Sequence, residues 1–225
     1  MKKNKVNFDD YADDYNQLLS DQLRFFDKND GYFAEYKIQK ISKMVSHSPQ
    51  TILDFGCGTG RSAAYLKQYF PNAAIYGYDV SLDSLMQAKK NYPDVTFLSS
   101  LNDLTIPFDL IFLAGVFHHI TPIERPSTMR SIASLLAKEG RVIAFEHNPY
   151  NPLTRHLVNT CPFDEDAILL KPRELTSLFL EAGLNKVKSE YTLFFPAALK
   201  CLRKLESYLK HFPLGGQFMV SGIRK

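Results

Sequence analysis

The sequence is poor in several features that would mark a specialised class of protein. Its 225 residues include only 3 cysteines and no tryptophan, and Cys57, Cys161 and Cys201 are too far apart for a CxxC pair or a zinc-ligand spacing. This excludes a disulfide scaffold and a zinc module, and it predicts a reducing compartment such as the cytoplasm. No apolar run approaches the ~18 residues of a membrane span, and the first residues are polar and basic. We therefore expect neither a membrane span nor a secretory signal.

A strong charge bias is also missing. The net charge is +3, and 45% hydrophobic and 23% charged residues are typical of a globular protein. The surplus of lysine and arginine over acidic residues lies in residues 1–5 and 223–225. It does not form a basic stripe interleaved with aromatic residues. Nucleic acid is therefore not the expected partner.

The sequence does contain a regular alternation of short apolar runs and helical patterns. Apolar runs over 51–55, 74–78, 95–98, 108–113 and 141–145 predict five strands, separated by segments with apolar residues at helical spacing. Such alternation predicts βαβ units and a Rossmann-like, doubly wound α/β sheet with helices on both faces. Two further strands, over 189–195 and 217–223, complete a sheet of about seven strands. We expect it to be mostly parallel with an antiparallel last strand.

A glycine-rich turn follows the first predicted strand, in the stretch Leu53-Asp54-Phe55-Gly56-Cys57-Gly58-Thr59-Gly60. Glycine permits unusual backbone angles and a close approach of a ligand. The dinucleotide fingerprint would need glycine at position 61, where this chain has arginine, and a P-loop would need Gly-Lys-Ser/Thr. Asp79 ends the second strand, where a carboxylate typically accepts hydrogen bonds from two ribose hydroxyls. The pattern therefore favours a ligand with a ribose over one bound through a pyrophosphate.

These residues resemble the class I S-adenosylmethionine (SAM)-dependent methyltransferases, in particular a bacterial subgroup that acts on small molecules. Residues 53–60 match the family's first motif, hydrophobic-Asp-x-Gly-x-Gly-x-Gly, and Ala114-Gly115-Val116-Phe117-His118-His119-Ile120 is similar to its motif after strand four. The resemblance implies SAM as cofactor and S-adenosylhomocysteine as product. Since methyl transfer from a sulfonium needs no metal, we expect none. The cofactor contacts implied or considered are Asp54, Gly56, Cys57, Gly58, Gly60, Asp79, Val80, Leu101, Asn102, Ala114, Gly115 and Tyr15.

Candidate catalytic residues lie where strands four and five end, because ligands of such sheets bind at the carboxyl ends of the strands. His118 and His119 follow strand four, and Glu146 and His147 end strand five. Neighbouring side chains on a turn diverge, so we expect one histidine, His119 by preference, to face the acceptor as a general base. The loop after strand five supplies the candidate substrate-binding residues Asn148, Tyr150 and Arg155.

We expect a single domain over residues 1–225, built from three parts. Residues 1–47 form an N-terminal helical cap, residues 48–145 the cofactor-binding core, and residues 146–225 a substrate side with a long loop, helices and the last two strands. The segment 147–166 contains three prolines and is too long for a simple connection. Residues 197–212 predict a basic helix whose leucines pack on the core or, alternatively, contact a lipid-linked substrate.

The sequence thus predicts a cytoplasmic methyltransferase that modifies a small molecule, at an oxygen of a sugar-like, lipid-linked or other metabolite. Three alternatives remain open at this point. An RNA methyltransferase and a non-catalytic SAM-binding module would share the cofactor site, whereas a nicotinamide-dependent oxidoreductase is disfavoured by the missing glycine at position 61.

Overall fold

Seven strands form a single sheet in the computed structural model, which describes residues 31–45, 47–104 and 106–225. The strands are β1 (Thr51–Phe55), β2 (Ala74–Tyr78), β3 (Thr96–Leu98), β4 (Phe108–Ala114), β5 (Leu136–His147), β6 (Asn185–Thr192) and β7 (Gln217–Ile223). Their order across the sheet is β3-β2-β1-β4-β5-β7-β6. The first five strands are parallel, and β7 runs antiparallel to both of its neighbours. The predicted fold class is therefore confirmed.

Helices cover both faces of this sheet. They are α1 (Tyr32–Ser42), α2 (Ala63–Tyr69), α3 (Leu82–Asn91), α4 (Arg125–Ser134), α5 (Pro152–Thr160), α6 (Pro172–Glu181) and α7 (Glu206–Leu209). Short 3₁₀ helices span Leu101–Asp103, Phe117–His119, Pro162–Asp164 and Ala197–Leu205. Helices α1, α2 and α3 contribute to one buried cluster and α4 and α6 to the other. Strand β4 serves both clusters, with Leu110 and Phe112 on one side and Ile111 and Leu113 on the other, which explains its nearly continuous apolar sequence.

The strand order reverses next to β1. From β1 the chain moves outward to β2 and β3, then returns so that β4 pairs with the opposite edge of β1. The connections leaving the carboxyl ends of β1 and β4 therefore diverge, and they leave a crevice between them. The glycine turn after β1 and the histidine turn after β4 both border this crevice.

The segment after β5 differs from its prediction as a long loop, because residues 152–160 form α5. Asn151 caps this helix: its side-chain oxygen accepts hydrogen bonds from the backbone N–H groups of Leu153 (2.9 Å) and Thr154 (3.1 Å). Pro152 occupies the first turn, where its missing N–H costs nothing. The prolines that suggested a loop therefore include one that starts a helix.

The predicted basic helix over residues 197–212 is also corrected. A 3₁₀ helix over Ala197–Leu205 is kinked at Leu199 and continues into the short α7. Leu199 and Leu205 are 44% and 48% exposed, so they do not join the core. Strand β6 spans residues 185–192 instead of the expected 189–195.

None of the helices in the described part of the chain combines the length and the apolarity that crossing a bilayer demands. Helix α1 belongs to the predicted N-terminal cap, whereas residues 1–30 lie outside the described residues. The division of the chain into three parts stays a prediction.

Candidate functional site

A cavity of about 760 Å³ opens at the carboxyl ends of β1, β2 and β4, where the strand order reverses. The glycine turn and the histidine turn both line it. The predicted cofactor residues on its wall are Asp54, Gly56, Cys57, Gly58, Asp79, Val80, Leu101, Ala114 and Gly115. Gly60 and Asn102 are not on the wall, and the predicted contact Tyr15 lies outside the described residues.

The glycine turn is held in place by the end of β2. The backbone N–H groups of Gly56 and Cys57 both donate to the Tyr78 carbonyl, at 2.7 and 3.0 Å. Gly56 has a φ of +77°, and a Cβ there would lie 2.5 Å from a methyl group of Val116, so a larger residue does not fit. At Gly58 no atom lies within 4 Å of the position that a Cβ would take. A ligand can therefore approach the backbone closely at this point of the cavity.

Two carboxylates flank the turn. Asp79 accepts hydrogen bonds from the N–H of Gly58 at 2.7 Å and of Ser81 at 2.9 Å, one on each oxygen. Asp54 is buried, and burial together with the charge of Asp79 raises its pKa to about 7, while Lys37 opposes this shift. Asp79 lines the cavity, so a ligand bound there can reach its carboxylate. The pair suits a ligand that carries hydroxyl groups and positive charge.

Glu146 anchors the histidine turn from inside the protein. One of its oxygens accepts hydrogen bonds from the backbone N–H groups of Val116 (3.0 Å) and Phe117 (2.7 Å). The other lies 2.7 Å from Nδ1 of His118. Glu146 is 1% exposed and is not on the cavity wall. Of the four catalytic candidates, it is the one that does not reach the cavity.

The three histidines, by contrast, all line the cavity, and an acid from a distant segment joins them. Asp164 has one oxygen 3.5 Å from Nε2 of His118 and 3.3 Å from Nε2 of His119. The rings of His118 and His147 have centroids 4.9 Å apart. Both neighbouring histidines after β4 therefore reach the site, whereas we had expected only one of them to do so.

Burial and mutual charge shift the pKa values of this cluster in opposite directions. Burial disfavours protonation of His118, but the carboxylates of Glu146 and Asp164 outweigh it and raise the pKa to about 9. Burial, aided by the charge of His118, lowers the pKa of His147 to about 4. Hydrogen bonds with His118 and His119, together with the charges of His118 and His147, overcome the effect of burial on Asp164 and lower its pKa. The cluster thus combines an ionised acid with one protonated and one neutral imidazole.

The structure does not bring the candidate substrate-binding residues to the cavity. Asn148 is fully buried, and its side-chain amide donates to the carbonyls of Pro213 (3.0 Å) and Gly215 (2.7 Å). Tyr150 is 49% exposed, Arg155 is exposed, and neither is on the cavity wall. The geometry gives none of the three a contact with the cavity, so we do not carry their substrate-binding role further.

Sequence reasoning did not single out four charged residues on the cavity wall: Lys37, Arg61, Glu124 and Asp164. Arg61 was noted only because it is not the glycine that a dinucleotide fingerprint needs. Asp164 belongs to the acidic stretch 164–166, whose composition indicates hydrogen-bonding capacity but not a position beside His118. Lys37 lies in α1, and no motif surrounds it.

The chain is similar to known methyltransferases. Residues 52–140 match the family model described as "Methyltransferase domain". An uncharacterized methyltransferase of Oceanobacillus iheyensis is 29% identical over 140 residues, which cover 60% of this chain and 65% of that protein. A trans-aconitate 2-methyltransferase of Afipia carboxidovorans is 36% identical over 81 residues, 33% of this chain and 32% of that protein. The chain thus spans less than two thirds of the length of each of these relatives.

The fold has a counterpart among solved structures. A SAM-dependent methyltransferase of Thermotoga maritima, described as a possible histamine N-methyltransferase, aligns with a TM-score of 0.70 and 20% identity. The alignment covers 97% of this chain and 98% of that one. At this identity the likeness shows the fold. Together the matches confirm the resemblance to the class I SAM-dependent methyltransferases.

Proposed function

We propose that this chain, with a methyltransferase domain over residues 52–140 and the class I fold, transfers a methyl group from SAM to an oxygen of a small-molecule acceptor. The observation that carries the proposal is one cavity that joins the glycine turn and Asp79 to the histidine cluster. The glycine turn and Asp79 suit a nucleoside that carries a charged amino-acid group. The histidine cluster supplies polar groups for an acceptor. We further propose that residues 1–225 form a single domain.

The residues on the cavity wall fit SAM. The Asp79 carboxylate, already oriented by two backbone N–H groups, is proposed to accept hydrogen bonds from the two ribose hydroxyls. Val80 and Leu101 offer apolar contacts for the adenine. Asp54, at the start of the glycine turn, lies where it can interact with the positively charged methionine part. A cavity of about 760 Å³ lies within the roughly 300–1,000 Å³ usual for ligand sites.

The acceptor is proposed to bind beside His118, His119 and His147. The cavity wall near them also contains apolar residues of α5 and of the segment after β6, including Leu157, Val158, Phe194 and Phe195. Polar groups beside an apolar wall suit a sugar-like, lipid-linked or other metabolite. The trans-aconitate methyltransferases among the relatives are named for an acidic acceptor. Lys37 and Arg61 on this cavity wall would also suit such an acceptor.

SAM brings the reactive methyl group, and the protein's own contribution is alignment and exclusion of water. With SAM bound, its sulfonium would supply a methyl group for in-line transfer to the acceptor oxygen with a neutral thioether as leaving group, and the acceptor's proton would pass to a base or to water. The histidine cluster is proposed to hold the acceptor in line with that bond. His118, His119 and His147 are the predicted catalytic residues on the cavity wall, whereas Glu146 positions the turn that carries His118.

Localisation follows from the same proposal. All three cysteines are free thiols, Cys57 and Cys161 buried and Cys201 exposed. Free thiols fit a reducing compartment, and we propose that the enzyme works in a bacterial cytoplasm.

Calorimetric titration with SAM tests the cofactor site. We expect wild-type affinity in the micromolar range and, for Asp79→Ala, a loss of about 100-fold or more, since two charge-assisted hydrogen bonds contribute about 1.5–3 kcal/mol each. Asp94→Ala, which removes an exposed aspartate away from the cavity, is the control and should bind SAM normally. Normal binding by Asp79→Ala would show that the ribose lies elsewhere.

The acceptor is identified by incubating the protein and methyl-tritiated SAM with extracts separated into metabolites, lipids and RNA. Label in the metabolite or lipid fraction supports the proposal. Label in RNA would replace the small-molecule acceptor with RNA. Binding of SAM without any transfer would indicate a non-catalytic cofactor-binding module.

A further inference from the structure

Three side chains with metal-binding atoms meet on the acceptor side of the cavity. His118 comes from the 3₁₀ turn after β4, His147 from the end of β5, and Asp164 from the 3₁₀ turn after α5. Each offers one potential ligand atom, and the three atoms lie within 4.8 Å of one another. All three residues line the cavity, so an ion held between them would be accessible to an acceptor.

The distances are close to those of a coordination site. Zinc binds imidazole nitrogen and carboxylate oxygen at about 2.0–2.2 Å, so two ligands of a tetrahedral ion lie about 3.3–3.5 Å apart. Nε2 of His118 and an oxygen of Asp164 are already 3.5 Å apart. The widest separation in the trio, up to 4.8 Å, would have to shorten by about 1–1.5 Å to reach that spacing. His147 is only partly buried and lines the cavity.

The surroundings of His118 supply a second, independent argument. Glu146 lies 2.7 Å from Nδ1 of His118 and is itself fixed by two backbone N–H groups, which leaves Nε2 directed at Asp164. Metal-binding histidines nearly always have such a partner on the other ring nitrogen, because it sets the tautomer and the ring orientation. His119 in turn lies 3.3 Å from the same Asp164 oxygen and helps to orient that carboxylate.

We propose that His118, His147 and Asp164 form a three-ligand site for a divalent transition-metal ion, with an open position facing the cavity. Two imidazoles and one carboxylate suit Zn²⁺, Fe²⁺ or Co²⁺ rather than Mg²⁺ or Ca²⁺, which prefer oxygen ligands. The open position would take the oxygen of the acceptor and favour its deprotonated, more nucleophilic form. That role in catalysis rests on the proposed methyl transfer, whereas the ion site itself does not.

The proposal departs from the sequence-based expectation of no metal. The ligands lie 29 and 17 positions apart in the chain, a spacing that matches no local metal motif. The competing interpretation of the same contacts is a buried ion pair, with a protonated His118 between Glu146 and Asp164. A bound ion would replace that proton, because a metal-ligating imidazole is neutral. The two interpretations therefore differ in whether the protein binds metal.

Titration of the untagged, chelator-treated full chain with Co²⁺ or Zn²⁺ tests this. We expect one ion per chain by calorimetry and, for Co²⁺, visible d–d absorption bands typical of a low coordination number. Loss of an outer partner commonly weakens metal binding by about 10–100-fold, so loss of a ligand in His147→Gln or Asp164→Asn should weaken it by at least about 100-fold. His156→Gln removes an exposed imidazole outside the cavity and should leave metal binding unchanged.

Circular dichroism and thermal melting of each variant establish that it is folded. The proposal is overturned if the folded wild type binds no stoichiometric ion, or if both ligand variants bind it as tightly as wild type does. SAM affinity is measured on the same samples. Binding of metal without binding of SAM would refute the proposed function alone, and binding of SAM without metal would refute the ion site alone.

Discussion

Replacing Asn148 with alanine should destabilise the protein without directly removing a substrate contact. The side chain of Asn148 is fully buried and makes three hydrogen bonds: it donates to the carbonyls of Pro213 and Gly215 and accepts from the N–H of Tyr150 at 3.0 Å. Each such bond contributes about 1 kcal/mol net, so Asn148→Ala should lower the free energy of unfolding by about 3 kcal/mol. For a chain of this size that corresponds to a decrease in Tm of roughly 6–12 °C.

Urea denaturation of the unliganded protein, followed by circular dichroism, measures this effect. Asn159→Ala, which removes an exposed asparagine of α5, is the control and should stay within about 0.5 kcal/mol of wild type. A variant Asn148→Ala with wild-type stability but a raised KM for the acceptor would refute the structural role. It would restore the substrate-binding role that the sequence suggested.

Two further predictions concern Gly77 in β2 and Asp54 in β1. Gly77→Ala should lower the free energy of unfolding by about 1–3 kcal/mol in the same denaturation assay, because the new Cβ would lie 2.5 Å from the ring of Phe97; unchanged stability would contradict this packing. Burial and the charge of Asp79 raise the pKa of Asp54 to about 7, against an unfolded value near 4, so the unliganded protein should lose stability as pH rises from 4 to 7. Asp54→Asn should flatten that part of the pH–stability curve, and an unchanged slope would show that another group causes it.

The order of strands and helices was predictable from the sequence, because it depends on local patterns. The apolar runs over 51–55 and 74–78 coincide with β1 and β2. The structure of segment 147–166 was not predictable in this way, because proline is common both in loops and in the first turn of helices, where Pro152 lies. Only the hydrogen bonds that the Asn151 side chain accepts from the following N–H groups decide between these structures.

The candidate site divides in the same way. The glycine turn and Asp79 follow directly from β1 and β2, and adjacent parallel strands bring their carboxyl ends to one edge of the sheet. The amide of Asn148 and the carboxylate of Glu146 are different, because a polar residue at a strand end can point into the cavity or away from it. The sequence pattern does not distinguish these directions, and the structure buries both side chains in hydrogen bonds to the backbone.

The sequence by itself determined the sheet, the glycine turn and the position of Asp79 at the end of β2, because each depends on a few neighbouring residues and on the periodicity that backbone geometry imposes. Only the tertiary structure decided which groups meet on the histidine side of the cavity. His118, His147 and Asp164 come from three connections, and their meeting depends on strand register and on how α5 places the turn that follows it. Contacts between residues so far apart in the chain are set by packing, which no local pattern records.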